Sequence, residues 1–309
     1  MRKIIATLSI LILCAVFCAS GQAPPLVNTV RALIARRDLA GADREARAYQ
    51  SKLGATPQLA AALSWLARAA LDNGNLDGAD AYAAESRKLG LQLLGAGRLD
   101  DDAWLPTAMG SSIEVHAKVL AARGERPEAI AFLREQLKQF AATSLPERIS
   151  KNINLLNLEG KPAPALDAAQ WLGSKPALGA LRGHPVVLFF WAHWCSDCKA
   201  EVAVLANLKQ TFGPQGLIVV GPTRLYGYTA GGEPAEPAQE KAYIEKIRNQ
   251  YYSALGNMAV PLSAANFLAY GASSTPTLAL IDRAGVVRYY HPGAVSEAEL
   301  SARIRSILK

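Results

Sequence analysis

The chain has 309 residues, half of them apolar, 19% charged and 7% aromatic. That composition excludes a disordered or fibrous chain, and the length suits about two domains of roughly 100–200 residues each. Four cysteines are too few to staple a chain of this size. The net charge of +7 is scattered, with 17 Lys+Arg against 16 Asp+Glu in residues 22–160 and 14 against 10 in residues 161–309, so it points to no nucleic-acid partner.

The first segment reads as an address. Met1-Arg2-Lys3 is a positive start, 4–17 is an apolar run, and Cys18-Ala19-Ser20-Gly21 supplies small residues before Pro24-Pro25. This is the three-part layout of a secretory signal peptide over residues 1–21, cut near Ser20 or Gly21. The run is short of the roughly 20 apolar residues that a membrane span needs, although an uncleaved segment acting as a tether is the alternative. Cleavage also removes Cys14 and Cys18. Cys195 and Cys198 then remain, and the only intramolecular disulfide available is theirs.

Residues 22–157 form the first expected domain, helical throughout. Periodicity of 3.6 residues predicts three helical pairs: 26–37 with 40–53, 58–73 with 76–89, and 103–123 with 127–140. The second helix of each pair opens alike, with Ala42, Ala79 and Ala129 where paired helices must approach closely. Ala42 and Ala79 are 37 residues apart, near the 34 of tetratricopeptide repeats, whereas the next interval is 50 and contains an insertion around 94–102. The segment resembles a degenerate tetratricopeptide array. Its concave face either binds a partner or merely packs on the neighbouring domain.

The texture changes at Gly160-Lys161-Pro162-Ala163-Pro164, so a second domain is expected over 158–309. Four β-type runs (186–191, 217–221, 277–281 and 286–290) alternate with helical segments at 198–212, 239–255, 264–270 and 296–308. Asp282-Arg283-Ala284-Gly285 suits a short hairpin between the last two strands. Strand–helix alternation with a closing hairpin predicts a mixed sheet covered by helices. The fold class expected for the whole chain is therefore α + α/β, helical hairpins followed by a central mixed sheet.

Trp194-Cys195-Ser196-Asp197-Cys198 follows the apolar strand directly and opens a helix. Unpaired N–H groups and the positive dipole end at a helix start favour a thiolate, lowering a cysteine pKa from about 8.5. Cys195 gains most, so it is the expected attacking thiol. Cys198, one turn on, is the resolving one. Half of a zinc site would need two further ligands, and no second CxxC is present. A purely structural disulfide gains little from so short a loop.

The run Phe190-Trp191-Ala192-His193-Trp194-Cys195-Ser196-Asp197-Cys198-Lys199 resembles the active site of thioredoxin-fold proteins. Ser273-Ser274-Thr275-Pro276-Thr277 resembles the same fold's cis-proline loop. With Gly160–Pro164, Leu181-Arg182-Gly183-His184-Pro185 and an insert between cysteines and proline, residues 158–309 are similar to exported TlpA-like thiol-disulfide oxidoreductases of the redoxin (AhpC/TSA) superfamily. The resemblance implies a cis Thr275–Pro276 bond whose backbone meets the substrate, a Trp194 that contacts it, no cofactor and no metal.

Three positions depart from the family pattern. Phe189 stands where thioredoxins bury an aspartate, Ala203 where a proline often kinks the helix, and Asp197 lies between the cysteines. Glu201 matches a glutamate of TlpA-like sites and is a candidate acceptor for the Cys198 proton, or else an exposed glutamate favoured by the helix dipole. A carboxylate at Asp197 disfavours the thiolate and leans the chemistry toward a reductant, as does the threonine before Pro276 by resemblance. His193 is expected on the rim, Trp191 in the core, and His116, His184 and His291 on the surface or in loops. The stretch from Tyr226 to Pro234 reads as a loop, either a plain connection or one facing substrate.

Two functions follow. The first is an exported oxidoreductase, periplasmic or secreted, acting on protein disulfides and recharged by a membrane or periplasmic thiol donor. The second is a partner-binding helical-repeat protein that uses the thioredoxin-like domain as a platform.

Overall fold

The computed structural model describes residues 25–95, 97–173, 181–256 and 258–308. The expected signal peptide, with Cys14 and Cys18, lies outside them. No helix among the described residues is long and apolar enough to cross a membrane.

Seven helices come first: α1 (Leu26–Ala35), α2 (Leu39–Leu53), α3 (Pro57–Asp72), α4 (Leu76–Leu94), α5 (Leu105–Ala122), α6 (Arg126–Gln139) and α7 (Pro146–Asn157). Their starts follow from local chemistry. The Asp38 side chain accepts from Gly41 N–H and Asn75 from Gly78 N–H, the same cap in two successive hairpins. Pro57 and Pro127 sit in first turns, where the missing N–H costs nothing. Helices α1, α3 and α5 each pack on the next odd helix and on the even helix that follows. Ala42, Ala79 and Ala129 are fully buried, as close helix approach requires. The pairs at 26–53, 58–89 and 103–140 are present with ends shifted by a few residues. α4 continues through 94, and α7 is an additional element that the three-pair reading did not separate.

The second half contains β1 (Trp171–Leu172), β2 (Val186–Phe190), α8 (Ser196–Phe212), β3 (Ile218–Val220), α9 (Pro237–Tyr251), β4 (Val260–Pro261), α10 (Ala264–Tyr270), β5 (Thr277–Ile281), β6 (Val287–Pro292) and α11 (Glu297–Ile307). The main sheet runs β3-β2-β5-β6. β2 pairs parallel with β3 and antiparallel with β5, and β6 closes the sheet antiparallel to β5. β2 and β5 are buried along their whole length, which explains their unbroken apolar sequences. Asp282 closes the last hairpin by accepting from Ala284 and Val286 N–H. β1 and β4, two residues each, form a separate ribbon too short to leave a periodic signal.

The two sheet faces bury separate apolar clusters. One holds Val187, Phe189, Leu205, Leu278 and both cysteines, and the other holds Leu188, Phe190, Phe267 and Tyr270. The helical half meets the second face through α7, which packs on α10. Gly271 ends α10 at φ +61°, and a Cβ there would fall 2.2 Å from the Lys151 backbone nitrogen. Glycine is required both for the left-handed conformation and for the contact. Gly271→Ala is expected to part α7 from α10 and to destabilise the protein by about 1–3 kcal/mol, measured as a lowered thermal midpoint.

Candidate active site

Strand β2 ends at Phe190, and residues 191–195 carry the chain into α8. Trp191 is fully buried and donates from Nε1 to the Gly221 carbonyl at 2.9 Å, while Thr223 Oγ1 donates to the Trp191 carbonyl at 2.8 Å. These bonds fix the exit of the strand. Cys195 is the N-cap residue of α8, and its sulfur accepts from Cys198 N–H at 3.0 Å. The two cysteines form a disulfide with Cα atoms 5.3 Å apart. Cys195 is 3% exposed and Cys198 fully buried, whereas Trp194 beside them is 49% exposed. Access to the sulfurs is thus confined to the Cys195 side, under the Trp194 rim.

The register of β5 brings in the second signature. Thr277 pairs with Phe190, so the residues just before Thr277 lie beside those just after Phe190. The Thr275–Pro276 bond is cis. Pro276 is buried, and Thr275 Oγ1 is a buried hydroxyl without a hydrogen-bond partner among the described residues. Phe189, in the position where thioredoxins place an aspartate, is fully buried in the apolar cluster that includes both cysteines.

Glu201 lies one turn beyond Cys198 on the same side of α8 and is 5% exposed. It is therefore not the exposed first-turn glutamate of the alternative reading. Burial pushes its carboxyl above the usual range, opposed by a 3.5 Å bond from Val295 N–H and by nearby His291. A proton acceptor for a thiol needs this kind of shift, since an ordinary carboxylate is too acidic to hold the proton near neutral pH.

His193 departs from expectation. It is 2% exposed rather than on the rim. Its ring is held edge-on by Tyr226, Tyr228 and Tyr243 at centroid distances of 5.4–5.7 Å. Its Nε2 lies 3.3 Å from Glu240 Oε1, within reach of charge attraction but off the line of a hydrogen bond. Burial depresses its pKa, against the pull of Glu240, so the ring tends to the neutral form. Fully buried Glu240, near the start of α9, also accepts from Tyr226 N–H at 2.6 Å and Gly227 N–H at 2.8 Å. The Tyr226–Pro234 stretch is thus anchored beneath the cysteine loop.

Other histidines divide. His184 contacts the Gly216 carbonyl in a loop, and His291 lies on β6. His116 is not an isolated surface residue, because its Nδ1 lies 2.6 Å from Asp80 and its ring meets Phe132 edge-on.

Sequence reasoning did not single out Glu240 or Arg224, and it named Tyr226 only as the start of a loop. Arg224 hydrogen-bonds Glu147 of α7, and its guanidinium lies 5.0 Å from the Tyr226 ring centroid and 4.9 Å from that of Phe267. Tyr226 in turn meets Trp194 edge-on at 5.6 Å. Nothing local marks these roles, because the partners Glu147, His193 and Trp194 lie about 30 to 80 positions away in the chain.

Comparison with known proteins agrees with this geometry. The AhpC/TSA family model matches residues 159–224. The thiol:disulfide interchange protein DsbE of Yersinia pestis is 30% identical over 159 residues, covering 49% of this chain and 73% of its own. The chain belongs to the thioredoxin-like thiol:disulfide oxidoreductases. This oxidoreductase is also similar to DsbE of Xylella fastidiosa strain Temecula1, 26% identical over 155 residues, covering 49% of this chain and 70% of the relative. With the oxidoreductase ResA of Geobacillus thermodenitrificans the identity is 25% over 148 residues, covering 48% of this chain and 77% of the relative.

Two predictions follow from the buried carboxyls. Glu240→Ala leaves two loop N–H groups without their acceptor and is expected to cost about 2–5 kcal/mol, read from denaturant unfolding. Glu201 binds its proton more tightly folded than unfolded. Its contribution is most favourable below the ordinary value of 4.5 and is lost as pH rises through the raised one. Glu201→Gln should therefore raise the thermal midpoint at pH 7 and leave it nearly unchanged at pH 4.

Proposed function

We propose that the oxidoreductase reduces disulfides in protein substrates through the Cys195–Cys198 dithiol. The observation that carries this reading is the placement of the Cys195 sulfur at the start of α8, facing Cys198 N–H at 3.0 Å. A thiolate formed there is stabilised by that N–H and by the helix dipole. The Cys195 thiolate attacks one sulfur of the substrate disulfide. A new bond joins Cys195 to that sulfur, and the other substrate sulfur leaves as a thiolate that takes a proton from water. Cys198 then gives its proton to Glu201 and attacks Cys195. The bond between Cys195 and the substrate breaks, the second substrate sulfur leaves as a thiolate that takes up the proton held by Glu201, and the two electrons gained by the substrate's two sulfurs leave Cys195 and Cys198 as the disulfide.

Pro276 and the backbone of Thr275 are assigned to holding the substrate segment, and Trp194 to covering the sulfurs and touching the substrate. Asp197, exposed at the mouth of the pair, opposes the thiolate and supports a reducing rather than an oxidising role. The cycle needs a thiol donor to restore the dithiol, at the membrane or in the periplasm. The positive start and apolar run of residues 1–21 support export, and the repeated caps and buried alanines of the first half support a tetratricopeptide-like array over 22–157 beside a thioredoxin-like domain over 158–309.

Insulin reduction with dithiothreitol as donor tests the reading on the mature protein. Cys195→Ser should abolish turnover above background, while Cys198→Ala should accumulate a mixed disulfide at Cys195, visible as a mass adduct lost on reduction. Equal turnover in the mature protein and Cys195→Ser would overturn it. Glu201→Gln should slow release from the mixed disulfide by about 10²-fold or more, with attack little changed, in stopped-flow at pH 7.

A further inference from the structure

The helical half carries a line of cations that the redox chemistry does not use. We propose that this line is a docking surface for an acidic segment of the disulfide-bearing protein on which the cysteine pair acts, an inference that rests on the function proposed above. At its centre, the buried Glu114 of α5 is reached by four cations from three helices. Arg68 of α3 lies at 3.3 Å, Lys118 of α5 at 2.9 Å, and Arg148 and Lys151 of α7 at 3.1 and 3.4 Å. One carboxylate neutralises one of the four, which leaves three positive charges together. Arg31 of α1 and Arg68 flank the Trp65 ring at 4.6 and 5.5 Å and extend the line to the first helix.

Burial and mutual repulsion depress Arg148 and Lys151, while Lys151, Arg148 and Lys118 overcome the burial of Glu114 and hold its carboxyl well below the usual range. Such crowding is unfavourable without a further anion. The Lys118 side chain is half exposed and that of Arg68 one-third exposed, so their heads can meet one. A surplus of cations in a partly dehydrated patch selects anionic partners and steers them in.

The position of the line on α7 makes a segment of the redox substrate the fitting partner. Glu147, beside Arg148, holds Arg224, which braces Tyr226 under Trp194. The Lys151 backbone abuts Gly271, four residues before Thr275. The helix that carries Arg148 and Lys151 is therefore packed on the segment that runs into the cis-proline loop, so a chain held along these cations is held by an element that adjoins the rim of the cysteines.

Two synthetic peptides with the same disulfide, one flanked by four glutamates and one by four serines, test this on the dithiol form of the mature protein. The acidic peptide should be reduced with kcat/KM about tenfold higher, the equivalent of two or three partly exposed ion pairs, and salt should shrink the ratio. Arg68→Ala with Lys118→Ala should bring the ratio near one, and Lys118→Ala alone should move it the same way at a half-exposed site. Equal rates for the two peptides, or a ratio unchanged in the double variant, would overturn the proposal, as would retention on anionic phospholipid vesicles with no preference between peptides. If neither peptide is reduced, the proposed function fails. Fluorescence anisotropy of the acidic peptide on Cys195→Ser protein then judges the surface separately: binding lost with Arg68→Ala and Lys118→Ala supports it, and no binding overturns it.

Discussion

The N–H of Cys198 faces the Cys195 sulfur because a fully buried strand delivers the chain into a helix through one tight turn, closed by Cys195 N–H donating to the Ala192 carbonyl at 3.1 Å. Helix α8 begins with N–H groups that have no partner further back in the helix, and a sulfur is the cap that meets them. Most of the site is arranged around keeping that junction in place. Trp191 is tied to Gly221 and Thr223, the apolar cluster seals the underside of the cysteines, and the loop before β5 reaches the upper side because Thr277 is in register with Phe190.

A second constraint comes from the insert between the cysteines and the proline. Its helix α9 places a buried carboxylate where two loop N–H groups and an imidazole converge. A buried carboxyl group is tolerated only when such partners surround it, so the loop cannot leave without stripping Glu240 of its two N–H donors. The insert thereby becomes structural support for the active-site loop rather than a free connection. Tyr226 shares in this support from beneath Trp194 and also touches Arg224, through which the helical half is joined to the rim of the site.

The helical half is thus more than an appendage. Its last helix, α7, belongs to two packing systems, with α5 and α6 on one side and α10 on the other. Glycine at 271 allows the backbone approach that joins them. Charges on α7 follow the same division: Glu147 faces Arg224 near the cysteines, while Arg148 and Lys151 face Glu114.

Helices with strong 3.6-residue periodicity, buried strands of unbroken apolar residues, the CxxC at a strand–helix junction and the Thr-Pro before β5 were all legible in the sequence. Each depends on neighbours within a turn or a few residues, and local spacing encodes such relations. Glu201 was recognisable by its place three residues after Cys198, but its burial was not. Its hydrogen-bond partner, Val295 N–H, arrives from beyond β6. His193 looked like a rim residue because its neighbours in sequence are exposed Trp194 and the cysteine mouth, whereas its surroundings are supplied by Tyr226, Tyr228, Tyr243 and Glu240. The two-residue strands β1 and β4 and the α7–α10 contact were equally silent. The chemistry of the cysteine pair is local and was written in the residue order. The support of its loop, the ionisation of Glu201 and the line of cations arise only when chain segments tens of residues apart close on one another, because burial and charge pairing are set by proximity in space rather than by spacing along the chain.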